Sequence, residues 1–181
     1  MHVKRVSIVS IVVIVLGLAY FFSFVSAPMS EKDATYIIDG REVTLRNGYA
    51  ETEAAPGSAS KIVTNYFGNE ARVDLDGDGR MDTVFLLTQS GAGTGVFYYV
   101  VAALNTSDGY VGSHALLLGD RIAPQSTSVG IAKNPKVVVV NYADRKMGES
   151  FAVPPSIGKS IWLLFDSKDM QFGEVVQNFE G

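Results

Sequence analysis

Asp74-Leu75-Asp76-Gly77-Asp78-Gly79-Arg80-Met81-Asp82 places carboxylates at positions 1, 3, 5 and 9 of a nine-residue stretch, with glycine at position 6. This spacing lets a short loop wrap a hard cation such as Ca²⁺ in oxygen ligands at about 2.3–2.6 Å. Alternate residues of a curling loop point inward, so Asp74, Asp76 and Asp78 would supply three carboxylates. The backbone carbonyl of Arg80 and the carboxylate of Asp82 would close the shell. Gly79 permits the positive φ that a side chain would resist. The competing reading is a solvated Asp/Gly turn. Four carboxylates in nine residues repel one another, by roughly 3 kcal/mol for a pair about 5 Å apart at an effective dielectric of 20, and an ordinary turn has no use for that.

The elements around the loop are strands. Thr83-Val84-Phe85-Leu86-Leu87 is β-branched, aromatic and aliphatic, so no EF-hand helix follows, and Phe85 stands where an EF-hand would carry its bidentate glutamate. The loop resembles the D-x-D-x-D-G-x-x-D calcium loops of FG-GAP repeats, which run directly into strands. That resemblance implies cation binding but no propeller, because the chain carries no second copy.

Asp39-Gly40 and Asn47-Gly48 separate alternating segments, which predicts a three-strand meander over residues 36–52. Residues 61–67 read either as a helix capped by Ser58 or Ser60 or as a strand. Residues 83–88 and 96–104 are apolar on both faces, the mark of central, buried strands. Further strands are expected at 115–118, 126–132, 136–142, 160–165 and 172–176. Strands spaced by about 10–15 residues without convincing helices predict an all-β fold with at most one short helix, an antiparallel sandwich or a partly open barrel.

Residues 6–25 form an uncharged, apolar run preceded by Lys4 and Arg5. About 20 such residues suffice to cross a hydrocarbon core. The basic flank predicts a cytoplasmic N-terminus and an extracytoplasmic C-terminal domain in the cell membrane. The expected organisation is a signal anchor over 1–26, a linker over 27–34 and one domain over 35–181. Val25-Ser26-Ala27 also suits signal-peptidase cleavage, which would yield a secreted form, but the apolar run exceeds the usual signal-peptide core and Pro28 follows the cut.

Without residues 1–26 the chain loses two of its 15 basic residues and none of its 19 acidic ones, leaving a net charge near −6. Such a domain is a poor nucleic-acid binder. Having no cysteine, it has neither disulfides nor thiolate chemistry.

Gly91-Ala92-Gly93-Thr94-Gly95 reads as a hairpin connection, since no helix follows to bind phosphate. His114 lies beside Ser113, but strand neighbours point to opposite faces, so the two form no dyad on a strand. Asp120-Arg121 and Asp144-Arg145-Lys146 read as ion pairs in turns, with a binding patch as the alternative, and Trp162 reads as core.

Over residues 36–48, 57–68, 74–89, 97–104, 109–125 (with Leu118-Gly119-Asp120-Arg121-Ile122-Ala123-Pro124) and 140–145, the chain is similar to a family of small, uncharacterised bacterial exported and membrane-anchored proteins. That likeness implies a bacterial source and an envelope location. The combined expectation is a non-enzymatic, membrane-tethered domain with a structural Ca²⁺ loop, serving an envelope protein or polymer as an interaction or accessory module. The alternative is a metal-assisted hydrolase acting on envelope polymers.

Overall fold

A computed structural model describes residues 28–130 and 136–175. The expected membrane segment at 6–25 lies outside them. Among the described residues no helix is long and apolar enough to cross a membrane.

After a 3₁₀ turn at Glu31–Asp33, twelve strands follow: β1 Thr35–Ile38, β2 Arg41–Thr44, β3 Tyr49–Glu53, β4 Lys61–Val73, β5 Asp82–Ser90, β6 Val96–Thr106, β7 Gly109–Gly112, β8 Leu116–Asp120, β9 Ala123–Val129, β10 Val138–Asp144, β11 Ile157–Asp166 and β12 Gln171–Glu174. All strand pairs are antiparallel. The fold is the expected all-β sandwich, not a closed barrel.

A central sheet runs β3-β4-β5-β6, and the far edge of β6 is shared by β7 and β8. A second sheet has the order β12-β11-β10-β9, and β1 with β2 forms a separate hairpin. The central sheet is covered on both faces, which explains its two-faced apolar strands. Val84 and Leu86 of β5, with Val100 and Ala102 of β6, pack against Val138, Val140 and Leu163 of the four-stranded sheet. Their neighbours Phe85, Leu87, Val101 and Ala103 pack against Tyr36, Ile38, Val43 and Leu45 of the hairpin layer. Period-two alternation thus sends successive side chains into two cores. Fully burying an apolar side chain of this size stabilises by about 1.5–3 kcal/mol.

The meander expected at 36–52 does not form. Asp39 and Gly40 make the anticipated positive-φ turn, with φ of 50° and 76°, and β1 pairs with β2. Past Asn47-Gly48, however, β3 pairs with β4. Gly48 explains the departure: its N–H donates to the Lys32 carbonyl at 2.8 Å and its carbonyl accepts the Tyr66 N–H at 2.7 Å. The turn is therefore fastened to the 3₁₀ segment and to β4, and the hairpin lies across the sheet, where its apolar face covers Phe85.

Residues 61–67 belong to a strand that continues to Val73, bent by a bulge at Gly68 and Asn69. Residues 109–112, where no strand was expected, form β7 because Asp108-Gly109 closes a tight hairpin with β6. Residues 131–132 and 176, the ends of two expected strands, lie outside the described residues.

Candidate metal site

The acidic loop joins β4 to β5, and its neck is closed in register by Val73 opposite Asp82. Inside, each aspartate holds the backbone ahead of it. Asp74 accepts the N–H of Gly77 on Oδ1 at 2.7 Å and that of Gly79 on Oδ2 at 3.0 Å. Asp76 Oδ1 accepts the Asp78 N–H at 3.1 Å, and Asp78 Oδ1 accepts the Arg80 N–H at 2.7 Å. Gly77 and Gly79, with φ of 87° and 88°, make the curl that turns these side chains to one side.

As a result, ligand oxygens of Asp74, Asp76 and Asp78 lie within 4.8 Å of one another, a group able to hold a metal ion. Two oxygens bound to one cation at about 2.4 Å can be no farther apart than about twice that distance, so the spacing fits. The partly exposed Asp74 and the exposed Asp76 and Asp78 leave the group open to ions from solvent.

Asp82, expected as a further ligand, stands outside this group. It is fully buried, and its oxygens accept the N–H of Leu75 at 2.8 Å and of Asn105 at 2.8 Å. It fixes the loop to the ends of β5 and β6. The Arg80 side chain pairs with Asp78 and donates from Nε to the Asn105 carbonyl at 2.5 Å.

The electrostatics separate the two ends of the loop. At Asp74, desolvation pushes the pKa upward, but the Gly77 and Gly79 N–H groups and the nearby Lys136 ammonium outweigh it, so the carboxyl lies below its ordinary range. At Asp82 burial dominates and raises the pKa; the Asn105 and Leu75 N–H groups oppose it, and the charges of Asp76 and Asp78 reinforce it. Lys136, which donates from Nζ to the Leu75 carbonyl at 3.1 Å, is the loop partner that the sequence did not reveal. It lies 61 residues from Leu75, and only the packing of the second sheet brings it there.

The remaining candidates are occupied in structural work. Ser113 Oγ donates to the His114 backbone carbonyl at 2.9 Å and accepts the Ala102 N–H at 2.9 Å. The glycine-rich stretch connects β5 to β6 as a hairpin. Asp120 pairs with Arg121 at 2.7 Å and Asp144 with Lys159 at 2.6 Å. Arg145 instead reaches backbone carbonyls, among them those of Val153 at 2.5 Å and Arg121 at 2.8 Å. Trp162 is half-buried on β11.

Fold and site together define a three-layered, antiparallel β-domain with an acidic hairpin loop at one end of its central sheet. No family model, curated protein or solved structure matches the chain.

Proposed function

We propose that the loop of residues 74–82 takes up Ca²⁺ in the manner of an FG-GAP-type loop, and that the ion is structural. The domain is then a non-enzymatic, extracytoplasmic interaction or accessory module, tethered to the cell membrane by residues 6–25 and serving an envelope protein or polymer. The convergence of Asp74, Asp76 and Asp78 within 4.8 Å carries this reading. Oxygen-only donors suit Ca²⁺ better than Mg²⁺, which holds its waters and demands a stricter octahedron.

Among the described residues the acidic group comes from one loop alone, with no histidine or distant carboxylate in it. A catalytic metal needs an open coordination position and usually draws ligands from several elements. The local group therefore supports a structural ion over a hydrolytic centre. The tether rests on the uncharged run of residues 6–25 and the preceding Lys4 and Arg5.

Calorimetric titration of the full chain in detergent with CaCl₂ tests the ion. Saturable heat that disappears in Asp76→Ala is expected, and no heat at about 5 mM Ca²⁺, well above the range of extracellular calcium modules, would overturn the reading. For the tether, protease added outside intact spheroplasts should digest the domain and leave a small membrane-bound fragment. Release of a soluble species beginning near Pro28 would overturn it. Turnover of peptidoglycan or ester substrates that vanished in His114→Ala would overturn the non-enzymatic assignment.

A further inference from the structure

Two adjoining cavities of about 320 and 330 Å³ lie where the β1–β2 hairpin overhangs β4 and β5. Asp39, Ile62 and Gln89 line both, so they form one continuous groove. The two ends differ in chemistry. One is apolar, with Phe97 41% exposed and Leu117 50% exposed beside Ile62. The other brings Glu42 and Glu53 toward Asp39.

The acidic end carries three carboxylates, Asp39, Glu42 and Glu53, against one lining cation, Arg41. Asp39 is held in place by Tyr99, whose hydroxyl donates to Oδ2 at 2.9 Å, while Oδ1 has no hydrogen bond to another described residue. Burial raises the Tyr99 pKa, so the phenol keeps the proton it donates. Gln89 gives one of its two Nε2–H groups to Thr64 Oγ1 at 3.0 Å, and its side-chain oxygen accepts no hydrogen bond among the described residues. Glu42 makes no side-chain hydrogen bond or ion pair among the described residues. Arg41 lines the same end and spends one N–H on the Ala54 carbonyl at 2.9 Å, while Glu53 accepts the Gly57 N–H on Oε2 at 2.9 Å and meets Lys61 at 3.6 Å with both side chains exposed. An acceptor-rich surface next to exposed apolar side chains calls for a ligand with a donor-rich cation beside a hydrophobic group.

We propose that this groove binds an extended peptide segment of a partner protein, seating a bulky apolar side chain between Ile62, Phe97 and Leu117 and an adjacent Lys or Arg among Asp39, Glu42 and Glu53. The length of a groove built from two cavities suits a chain over a lone amine. The proposal deepens the interaction-module reading by naming the partner's chemistry, and it does not depend on the calcium loop.

Fluorescence anisotropy of a labelled Leu-Lys-Leu-Lys peptide with the full chain in detergent is the test. Saturable binding is expected, weakened by added salt and by about tenfold in Asp39→Asn/Glu42→Gln, which exchanges charge for amide at positions that tolerate it. The exposed Leu117→Asp should weaken it as well, and a Leu-Glu-Leu-Glu peptide should bind about tenfold less tightly. Circular dichroism melts establish that the variants are folded. No saturable binding up to about 1 mM peptide, or equal affinity in folded Asp39→Asn/Glu42→Gln, would overturn the proposal. Peptide binding in a protein that takes up no calcium would sink the ion loop alone and uphold the groove.

Discussion

The buried carboxylate of Asp82 accepts the backbone N–H of Leu75 at 2.8 Å, and this bond closes the neck of the acidic loop. Its other oxygen takes the Asn105 N–H at 2.8 Å. One side chain thus ties the β4–β5 connection to β6, and the loop can gather its exposed carboxylates because this one is used as scaffold.

Asp82→Asn should therefore destabilise the domain even without calcium. An amide side chain has one acceptor oxygen, so one of the two backbone donors loses its partner and faces an NH₂ group. A buried, unpaired polar group costs about 1–3 kcal/mol. Urea unfolding in EDTA measures the loss, and an unchanged midpoint would show that Asp82 does not fasten the loop.

Calcium should raise the melting temperature without changing the far-ultraviolet circular dichroism. At ten times the dissociation constant, linkage supplies about 1.4 kcal/mol. For a domain of this size that is roughly 3–6 °C. Asp76→Ala should remove most of the rise and slightly stabilise the calcium-free protein by relieving repulsion. Lys136→Gln should tighten calcium binding severalfold, because it removes a cation whose field reaches Asp74. A titration in which Lys136→Gln bound calcium more weakly would contradict this account.

Gly112→Ala should be among the most damaging single-methyl additions in the chain. A Cβ there would lie 2.3 Å from the Thr35 carbonyl oxygen and 2.7 Å from the Tyr36 ring, where the hairpin layer crosses β7. Backbone on one side and a fully buried ring on the other leave no room, so a loss of about 3 kcal/mol is expected. Gly158→Ala, where an added Cβ meets nothing within 4 Å, should shift stability by no more than about 0.5 kcal/mol. Equal thermal melts for the two variants would refute the close crossing.

Acid should destabilise the fold partly through Asp120 and Asp144. The hydrogen bond from Arg121 to Asp120, and that from Lys159 to Asp144, hold both carboxyls below their ordinary range against opposing desolvation. A carboxyl with a folded pKa lower than its unfolded one contributes stability that is complete above about pH 4 and is lost as pH falls through the folded value. Asp82, raised by burial, has the opposite sign: its ionisation weakens the fold as pH rises through its folded pKa. Asp120→Asn should therefore flatten the fall in stability between about pH 4 and pH 2. A series of urea melts across that window would show an unchanged slope if the Arg121 pairing contributed nothing.

Local chemistry in the sequence determined the fold class, most strands and the acidic loop. Asp39-Gly40 marked a hairpin because positive φ is cheap there, and the two-faced apolar runs of β5 and β6 marked the centre of the sheet because only a strand covered on both sides tolerates them. The spacing of Asp74, Asp76 and Asp78 was legible because the residues that converge lie within five positions. Tertiary structure decided what depended on distant partners. Gly48 bonds to Lys32 and Tyr66, so the expected meander splits into a separate hairpin and an edge strand. Asp82 becomes scaffold because β6 brings the Asn105 N–H to it, and Lys136 reaches the loop from the second sheet. The groove at Asp39 exists only because Ile62, Gln89, Phe97 and Leu117, on four different strands, meet beneath one turn. Convergence of that kind is set by packing of layers, and no local spacing encodes it.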